Sequence, residues 1–131
     1  MKRLGFVLLV LAGAACARRT AAGPGAAARR PALAPSYELR LGRQVFQHYC
    51  QTCHGETGAG DGFNAFNLDP RPRDLSDPAF QKKKTDAELT DAVRRGGAGV
   101  GLSSMMPPWG KTLSQAEVDE VVLYVRSLRK Q

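Results

Sequence analysis

Five consecutive residues, Cys50-Gln51-Thr52-Cys53-His54, combine two thiols and an imidazole at a spacing that suits one kind of chemistry. Side chains three positions apart lie on neighbouring turns of one helix face, so each thiol can bond one vinyl group of a porphyrin. The imidazole that follows can bind the iron from the same side. Because Cys-x-x-Cys-His is the attachment pattern of c-type haem, we predict that Cys50 and Cys53 form thioethers to a haem c. We also predict that His54 is an axial iron ligand.

Two other kinds of site use cysteine pairs, and the sequence disfavours both. A structural zinc site needs four ligands, usually in paired spacings. Outside the motif the chain offers only His48 and Cys16, and neither has such a spacing. A thioredoxin-like pair should follow a strand of a βαβ unit, whereas the residues before Cys50 have a helical pattern. Haem attachment is therefore the stronger hypothesis.

The N-terminus has the pattern of a secretory signal. Lys2 and Arg3 precede an apolar run over residues 4–15, which is too short to span a bilayer as a mature helix. We therefore predict a signal peptide over residues 1–16 and export to the bacterial periplasm. Export agrees with the haem motif, since bacteria attach haem c outside the cytoplasmic membrane.

The end of the signal is compatible with two kinds of processing. Residues 14–16, Ala-Ala-Cys, resemble the end of a lipobox, whose cysteine is lipidated, although Gly13 stands where a large aliphatic residue is usual. Residues 12–14 and 15–17 are alternative small-x-small sites for ordinary signal peptidase. A lipidated Cys16 would tether the protein to the membrane.

Residues 17–35 are mostly Ala, Gly, Pro and Arg and include almost no large apolar side chain. Such a segment cannot bury enough surface to offset the entropy of ordering it, so we predict a disordered linker. Six of the 19 Lys and Arg residues precede residue 31, which leaves 13 basic against 12 acidic residues. The net charge of +7 therefore lies mostly in the signal and linker and does not indicate a nucleic-acid partner.

Hydrophobic periodicity predicts three main helices. The first covers about residues 37–50, and one of its faces is formed by Leu39, Gly42, Phe46 and Tyr49. Glycine lowers helix propensity, so Gly42 predicts the close approach of another backbone.

The second and third helices each begin with a capping box, in which a hydroxyl residue and a glutamate three positions later exchange hydrogen bonds. Thr85 with Glu88 marks the second start, and Gly96 marks its end. Ser114 with Glu117 marks the third start. The third helix carries an apolar stripe of Val118, Val121, Val122, Val125 and Leu128. Because no run alternates apolar and polar residues as a strand would, the predicted fold class is all-α.

Between the first two helices lies a stretch that we predict to be irregular, residues 55–84, rich in Gly, Pro, Asp and Asn. A loop of that length is unusual in a small domain. A haem would supply a large apolar surface for it to pack on and would supplement a thin protein core. We therefore predict a single mono-haem domain over residues 36–131.

The order of these features resembles that of the small class I cytochromes c of bacteria. The resemblance covers residues 37–128 and depends on Gly42-x-x-x-Phe46, Cys50-x-x-Cys53-His54-Gly55, a proline-bearing loop, Met106-Pro107-Pro108-Trp109-Gly110, and Tyr124 in the closing helix. It implies the class I fold, with three main helices and long loops wrapped around one covalent haem. It also implies that Gly42, Phe46 and Tyr124 lie where the first and last helices cross.

The resemblance further implies that Met106, which directly precedes Pro107, is the second axial iron ligand, while Met105 is a core or surface residue. Iron bound by one histidine and one thioether has no open site, and the soft, neutral sulfur favours the ferrous state. Such a site suits one-electron transfer. We therefore predict an electron carrier between periplasmic or membrane redox proteins, acting as a monomer, rather than an enzyme.

For the residues around the haem, the resemblance leaves two choices open. A proline carbonyl normally fixes the axial histidine through its other ring nitrogen, and both Pro70 and Pro72 are placed for this role. Trp109 either donates its indole N–H to a haem propionate or packs against the haem edge. Arg71, Arg73 and Arg94 could pair with haem propionates, but these three and His48 are expected to face the solvent.

A different class of function is a haem domain that catalyses a reaction or senses a ligand after the methionine is displaced. It would need an open distal position and a distal acid or base, and the sequence has no spare histidine near Met106. The run Lys82-Lys83-Lys84 could dock an acidic partner, although charge runs usually only solvate a surface. Electron transfer is therefore the preferred hypothesis.

Lipidation of Cys16 can be tested by intact mass and membrane fractionation of the mature protein. A lipidated chain should begin at Cys16, carry acyl mass and sediment with membranes until detergent is added, because the acyl chains bury in the bilayer. The Cys16→Ser variant should then be released without detergent. A mature N-terminus at another residue, with no acyl mass, would rule the tether out.

Overall fold

The structure, a computed structural model, describes residues 35–130. Over that range the chain forms helices and loops and no strand: α1 (Pro35–Tyr49), α2 (Gln51–His54), a 3-10 helix (Ala65–Asn67), α3 (Pro78–Lys83), α4 (Asp86–Gly99) and α5 (Gln115–Ser127). The predicted all-α class is confirmed. The predicted signal peptide and all but the last residue of the predicted linker lie outside the described residues. Among the described helices, none is both long enough and apolar enough to cross a bilayer.

Helices α1 and α5 approach each other closely at Gly42. A Cβ atom on this buried glycine would lie 1.9 Å from the carbonyl oxygen of Glu120 and 3.1 Å from the Cβ of Tyr124. One turn further along α1, the fully buried ring of Phe46 lies 5.2 Å from the ring of Tyr124. The close approach predicted from Gly42 is therefore confirmed, together with the meeting of Gly42, Phe46 and Tyr124.

The apolar stripe of α5 supplies half of the core. The core consists of Val45, Phe46, Leu89, Leu113, Val118, Val121, Val122 and Val125. Four of these residues belong to the predicted stripe, and its fifth member, Leu128, is half-buried and packs against them. The removal of these side chains from water is the main stabilising contribution to such a fold.

Both predicted capping boxes are present. Thr85 N donates to Glu88 Oε2 at 2.9 Å, and the Thr85 hydroxyl accepts from Glu88 N at 3.2 Å. Ser114 and Glu117 make the same two bonds, at 2.8 and 3.3 Å. Gly96, the predicted end of the second helix, has a φ of 68° and breaks α4, although one further turn follows to Gly99.

The stretch over residues 55–84 is less irregular than predicted, because it contains the 3-10 helix and α3. Asp77 caps α3 by accepting from Ala79 N at 2.9 Å, and Pro78 lies in the first turn. An aspartate followed by a proline is a helix-start signal. The sequence therefore contained evidence for α3, although a six-residue helix is too short to show a clear hydrophobic period.

Two side chains tie α3 to α5, so protein contacts hold part of this stretch in place. Gln81 is buried and donates to the carbonyls of Leu75 at 2.6 Å and Val125 at 2.8 Å. Arg126 donates to the carbonyls of Gln81 at 2.7 Å and Lys84 at 2.6 Å. Since the last carbonyls of a helix have no partner within the helix, the guanidinium of Arg126 completes the end of α3 from a neighbouring helix.

The contact at Gly42 can be tested by the Gly42→Ala variant. Its Cβ would overlap a backbone oxygen of α5, which cannot move without moving the helix. We therefore expect a loss of about 3 kcal/mol in the free energy of unfolding, at the upper end of overpacked cores. Denaturant unfolding of the holoprotein measures this loss. The matched control is Gln44→Ala at an exposed position of α1, which should stay within about 0.5 kcal/mol of wild type. Equal stability of the two variants would contradict the packing.

Candidate functional site

Cys50 lies between α1 and α2 and leaves the helical hydrogen bonding almost uninterrupted. Its N–H donates to the carbonyl of Phe46 at 2.9 Å, and its carbonyl accepts from Cys53 N at 3.1 Å and from His54 N at 2.9 Å. No disulfide joins the two cysteines. They therefore lie three positions apart on one helical turn, which is the arrangement that the predicted chemistry requires.

The environment of Cys50 does not suit either of the competing cysteine sites. Burial, with a smaller contribution from Cys53, raises the pKa of the Cys50 thiol to about 12. A redox-active pair of the thioredoxin kind instead lowers a thiol pKa. Over residues 35–130, no group of three or more His, Cys, Asp or Glu side chains could hold a metal ion. A zinc site, which needs four protein ligands in a structural role, therefore lacks its donors in this part of the chain.

His54 is half-buried, and one of its ring nitrogens already has a partner. Its Nδ1 atom lies 3.2 Å from the carbonyl oxygen of Arg73. Burial lowers the pKa of His54 and outweighs the opposing effect of that carbonyl, so the neutral imidazole is favoured. In the tautomer that donates from Nδ1 to Arg73, Nε2 keeps its lone pair and is the nitrogen available to a metal.

The carbonyl beside His54 is not the one expected from the sequence. Pro70 and Pro72 were the predicted partners, whereas the structure has Arg73, the residue after Pro72. The Pro72 carbonyl is directed towards Gly60 instead, where a Cβ would lie 2.3 Å from its oxygen. Gly60 has a φ of 77°. Because this contact between two loops turns the Pro72 carbonyl towards Gly60, the Arg73 carbonyl is the one that faces the imidazole. No local sequence signal indicates this contact.

The loop that carries the Arg73 carbonyl is anchored two residues later. Leu75 N donates to the carbonyl of Gly58 at 2.7 Å, and Gln81 Nε2 donates to the carbonyl of Leu75 at 2.6 Å. One anchor therefore lies in the loop that follows the cysteine motif, and the other in α3. Together they limit how far the Arg73 carbonyl can move away from His54.

The two adjacent methionines have different environments. Met106 is half-buried, whereas Met105 is 54% exposed. The backbone of Met106 is held by α4, because Gly97 N donates to the Met106 carbonyl at 2.9 Å. The residue predicted as the second axial ligand is thus the more enclosed of the two and is fixed to a helix through its main chain.

Trp109 packs beside the end of α1, the helix that leads into the cysteine turn. Its ring lies 5.1 Å from that of Tyr49, near the end of α1, and both rings pack against the core. This contact joins the segment after Met106 to the segment before Cys50.

Four of the basic side chains considered above have partners within the protein. Those partners are Phe66 for Arg71, Asp77 for Arg73, Gln115 for Arg94 and Glu88 for Lys84. Arg71, Arg73 and His48 are exposed, as expected, whereas Arg94 is half-buried. Of the lysine run, Lys82 and Lys83 are exposed.

Comparison with known proteins gives a consistent result. A family model described as cytochrome c oxidase, cbb3-type, subunit III matches residues 38–125. The Cbb3-type cytochrome c oxidase subunit FixP of Azorhizobium caulinodans is 30% identical over 89 residues, which cover 68% of this chain and 27% of the relative. The subunit CcoP of Azospirillum sp. (strain B510) is 29% identical over 94 residues, covering 70% and 29%. The chain therefore spans less than a third of the length of these curated relatives.

A solved structure supports the same fold. The KustC0563 c-type cytochrome aligns with a TM-score of 0.57 at 26% identity, covering 68% of this chain and 98% of that protein. The donors described above also fit a haem c, since the chain offers two thiols on one turn, an imidazole with an oriented Nδ1 and a half-buried methionine.

Proposed function

The chain belongs to the cytochrome c family described as cytochrome c oxidase, cbb3-type, subunit III, and on that premise we propose that it is a one-electron carrier with one covalent haem c. Membership of the family implies a haem c. The rest of the proposal depends on one observation. The helical turn at residues 50–54 offers two thiols and an oriented imidazole side by side.

Each donor has a separate role in this proposal. Cys50 and Cys53 would attach the porphyrin as thioethers, and His54 and Met106 would bind its iron. A haem c supplies one-electron chemistry between ferric and ferrous iron. The protein holds the imidazole through the Arg73 carbonyl, which fixes its orientation and raises its basicity as a ligand. Met106 contributes a neutral sulfur, which favours the ferrous state.

A catalytic or ligand-sensing role is less well supported than electron transfer. It would require displacement of Met106 and an acid or base to act on the bound ligand. Met106 is held by a main-chain hydrogen bond to α4 rather than by a free loop. His48, the other histidine of the described range, is exposed on α1 and lies edge-on to Tyr49. No observation therefore favours this second role.

The partners are proposed to be redox proteins in the periplasm or at the membrane. The relatives are named as subunits of cbb3-type oxidases, which agrees with a place in an electron-transfer chain. The proposal includes export through the predicted signal peptide, a lipid tether at Cys16 and a monomeric state. Exposed Lys82 and Lys83 on α3 are available to an acidic partner.

The ligand role of Met106 can be tested with the Met106→Ala variant. The oxidised wild-type protein should show the weak near-infrared band of a sulfur-to-iron bond, and the variant should lose it. The variant should also bind cyanide or carbon monoxide at least about tenfold more tightly, because no internal ligand competes. Its reduction potential should fall, since the sulfur that favours the ferrous state is gone. Absorption spectra during a potentiometric titration report the band and the potential, and titration with each ligand reports the affinity.

Met105→Ala is the matched control, because Met105 is the exposed neighbour of the proposed ligand. It should leave the band, the ligand affinities and the potential close to those of wild type. Loss of the band in Met105→Ala alone would show that the ligand is Met105 and not Met106. If neither substitution changes the band, methionine is not an iron ligand, and the ligand-sensing role is favoured.

A further inference from the structure

We propose that the glycine pair at the break in α4, Gly96 and Gly97, is the positioning device that holds Met106 at the iron. This inference rests on the proposed ligation by Met106 and adds residues that neither the motif nor the family match assigns to it. It predicts that the iron–sulfur bond depends on a backbone contact with α4, not only on the Met-Pro sequence itself.

The break in α4 provides hydrogen-bond acceptors for the methionine segment. Gly96 has a φ of 68°, which interrupts the helix and ends its regular hydrogen bonding. The carbonyls of Val93 and Arg94, in the last regular turn, accept instead from Trp109 N at 2.9 Å and Gly110 N at 3.0 Å. Since the last carbonyls of a helix otherwise lack partners, the segment that follows Met106 completes the end of α4.

Gly97 provides the space for the turn that presents Met106. Its Cβ would lie 1.9 Å from the carbonyl oxygen of Ser103 and 3.3 Å from Cβ of Met106. Ser103 begins this turn, because its carbonyl accepts from Met106 N at 3.4 Å. Gly97 N in turn donates to the Met106 carbonyl at 2.9 Å. Both ends of the turn therefore lie against one residue that has no side chain.

The steric role of Gly97 can be separated from conformational strain. Positive φ values in the described range occur at Gly55, Gly58, Gly60, Gly96 and Gly101, so Gly97 has a backbone conformation that alanine can adopt. An alanine at Gly97 would disturb the structure mainly by pushing against the turn of Ser103 and Met106. At Gly101 the situation is reversed, since its φ is 74° and a Cβ would meet nothing within 4 Å.

We call Gly96 and Gly97, with the turn of Ser103 and Met106 that lies against them, the glycine seat. The rest of α4 makes this seat rigid. The first turn is held by the capping box of Thr85 and Glu88, and by the ion pair of Asp86 with Arg126 at 2.7 Å. Leu89 anchors the helix in the core. The regular part of α4, which is fixed through its first turn, cannot easily shift. Gly97 follows it directly after the break, so an added methyl group there would press on the turn of Ser103 and Met106. The turn that carries Met106 should therefore be the part that moves.

The test compares holoprotein of wild type, Gly97→Ala and Gly101→Ala by titration with imidazole, which competes with Met106 for the iron. We expect Gly97→Ala to weaken the near-infrared sulfur band and to bind imidazole at least about tenfold more tightly than wild type. Gly101→Ala should melt at a lower temperature because of its backbone strain. Its imidazole affinity should stay within about twofold of wild type, a difference well under 1 kcal/mol.

The remaining outcomes would overturn the inference. A Gly97→Ala variant with the wild-type band and affinity would show that the seat is not required. An equal gain in imidazole affinity in both variants would show a general loosening of the loop. If wild type itself lacks the sulfur band, the proposed Met106 ligation fails first, and this result is distinct from failure of the glycine seat.

A measurement on wild-type holoprotein keeps the inference testable if Gly97→Ala does not accumulate. Hydrogen exchange of the Gly97, Trp109 and Gly110 amides, all bonded in the seat, should accelerate at least about tenfold when saturating imidazole replaces Met106. The amide of Val118 in α5, which donates to the carbonyl of Ser114, should keep its rate. Unchanged exchange at all three seat amides would overturn the coupling.

Discussion

The backbone contact between α1 and α5 at Gly42 determines where the functional groups lie. With no side chain at Gly42, the Glu120 carbonyl approaches to a distance that any Cβ would prevent. The same face of α1 then carries Phe46, whose ring contacts Tyr124, and Tyr49, whose ring contacts Trp109. Each contact lies about one helical turn beyond the last. The direction of α1, and with it the cysteine turn that continues the helix, is thus fixed by one line of packing.

The donors beyond α1 are held largely by main-chain groups. The Arg73 carbonyl reaches His54 from a loop anchored at Leu75, and Gln81 ties that anchor to α3 and α5. The methionine segment is bonded through its backbone to the end of α4. Main-chain contacts of this kind tolerate changes of side chain, which agrees with a shared fold at only 26% to 30% sequence identity. The proposed electron transfer would benefit from this arrangement, because a site that moves little on gaining an electron has a small reorganisation cost.

The parts of the fold that could be predicted are those set by local sequence. The capping boxes at Thr85 and Ser114 and the stripe of α5 each depend on residues within one or two turns, and all were confirmed. Gly42 was informative because a glycine in a helix needs an explanation. The parts that were wrong are not set by local sequence alone. The start of α3 at Asp77 and Pro78 is a local signal, but the helix is too short to show a hydrophobic period, and the remaining contacts join distant segments. Helix α3 gains its support from Arg126, far along the chain, and the choice of the Arg73 carbonyl over that of Pro72 depends on a contact with Gly60.

The most direct measurement is the mass of the tryptic peptide over residues 44–73. The protein is produced in a bacterial host that exports and matures c-type cytochromes, and it is treated with iodoacetamide before digestion. The peptide contains Cys50 and Cys53 as its only cysteines. The peptide should carry the mass of one haem and no alkyl group, because both thiols are used in thioether bonds. A pyridine haemochrome spectrum of the same sample should be that of a haem with two thioethers. A peptide with both cysteines alkylated and no haem would contradict covalent attachment, and with it the account of the site.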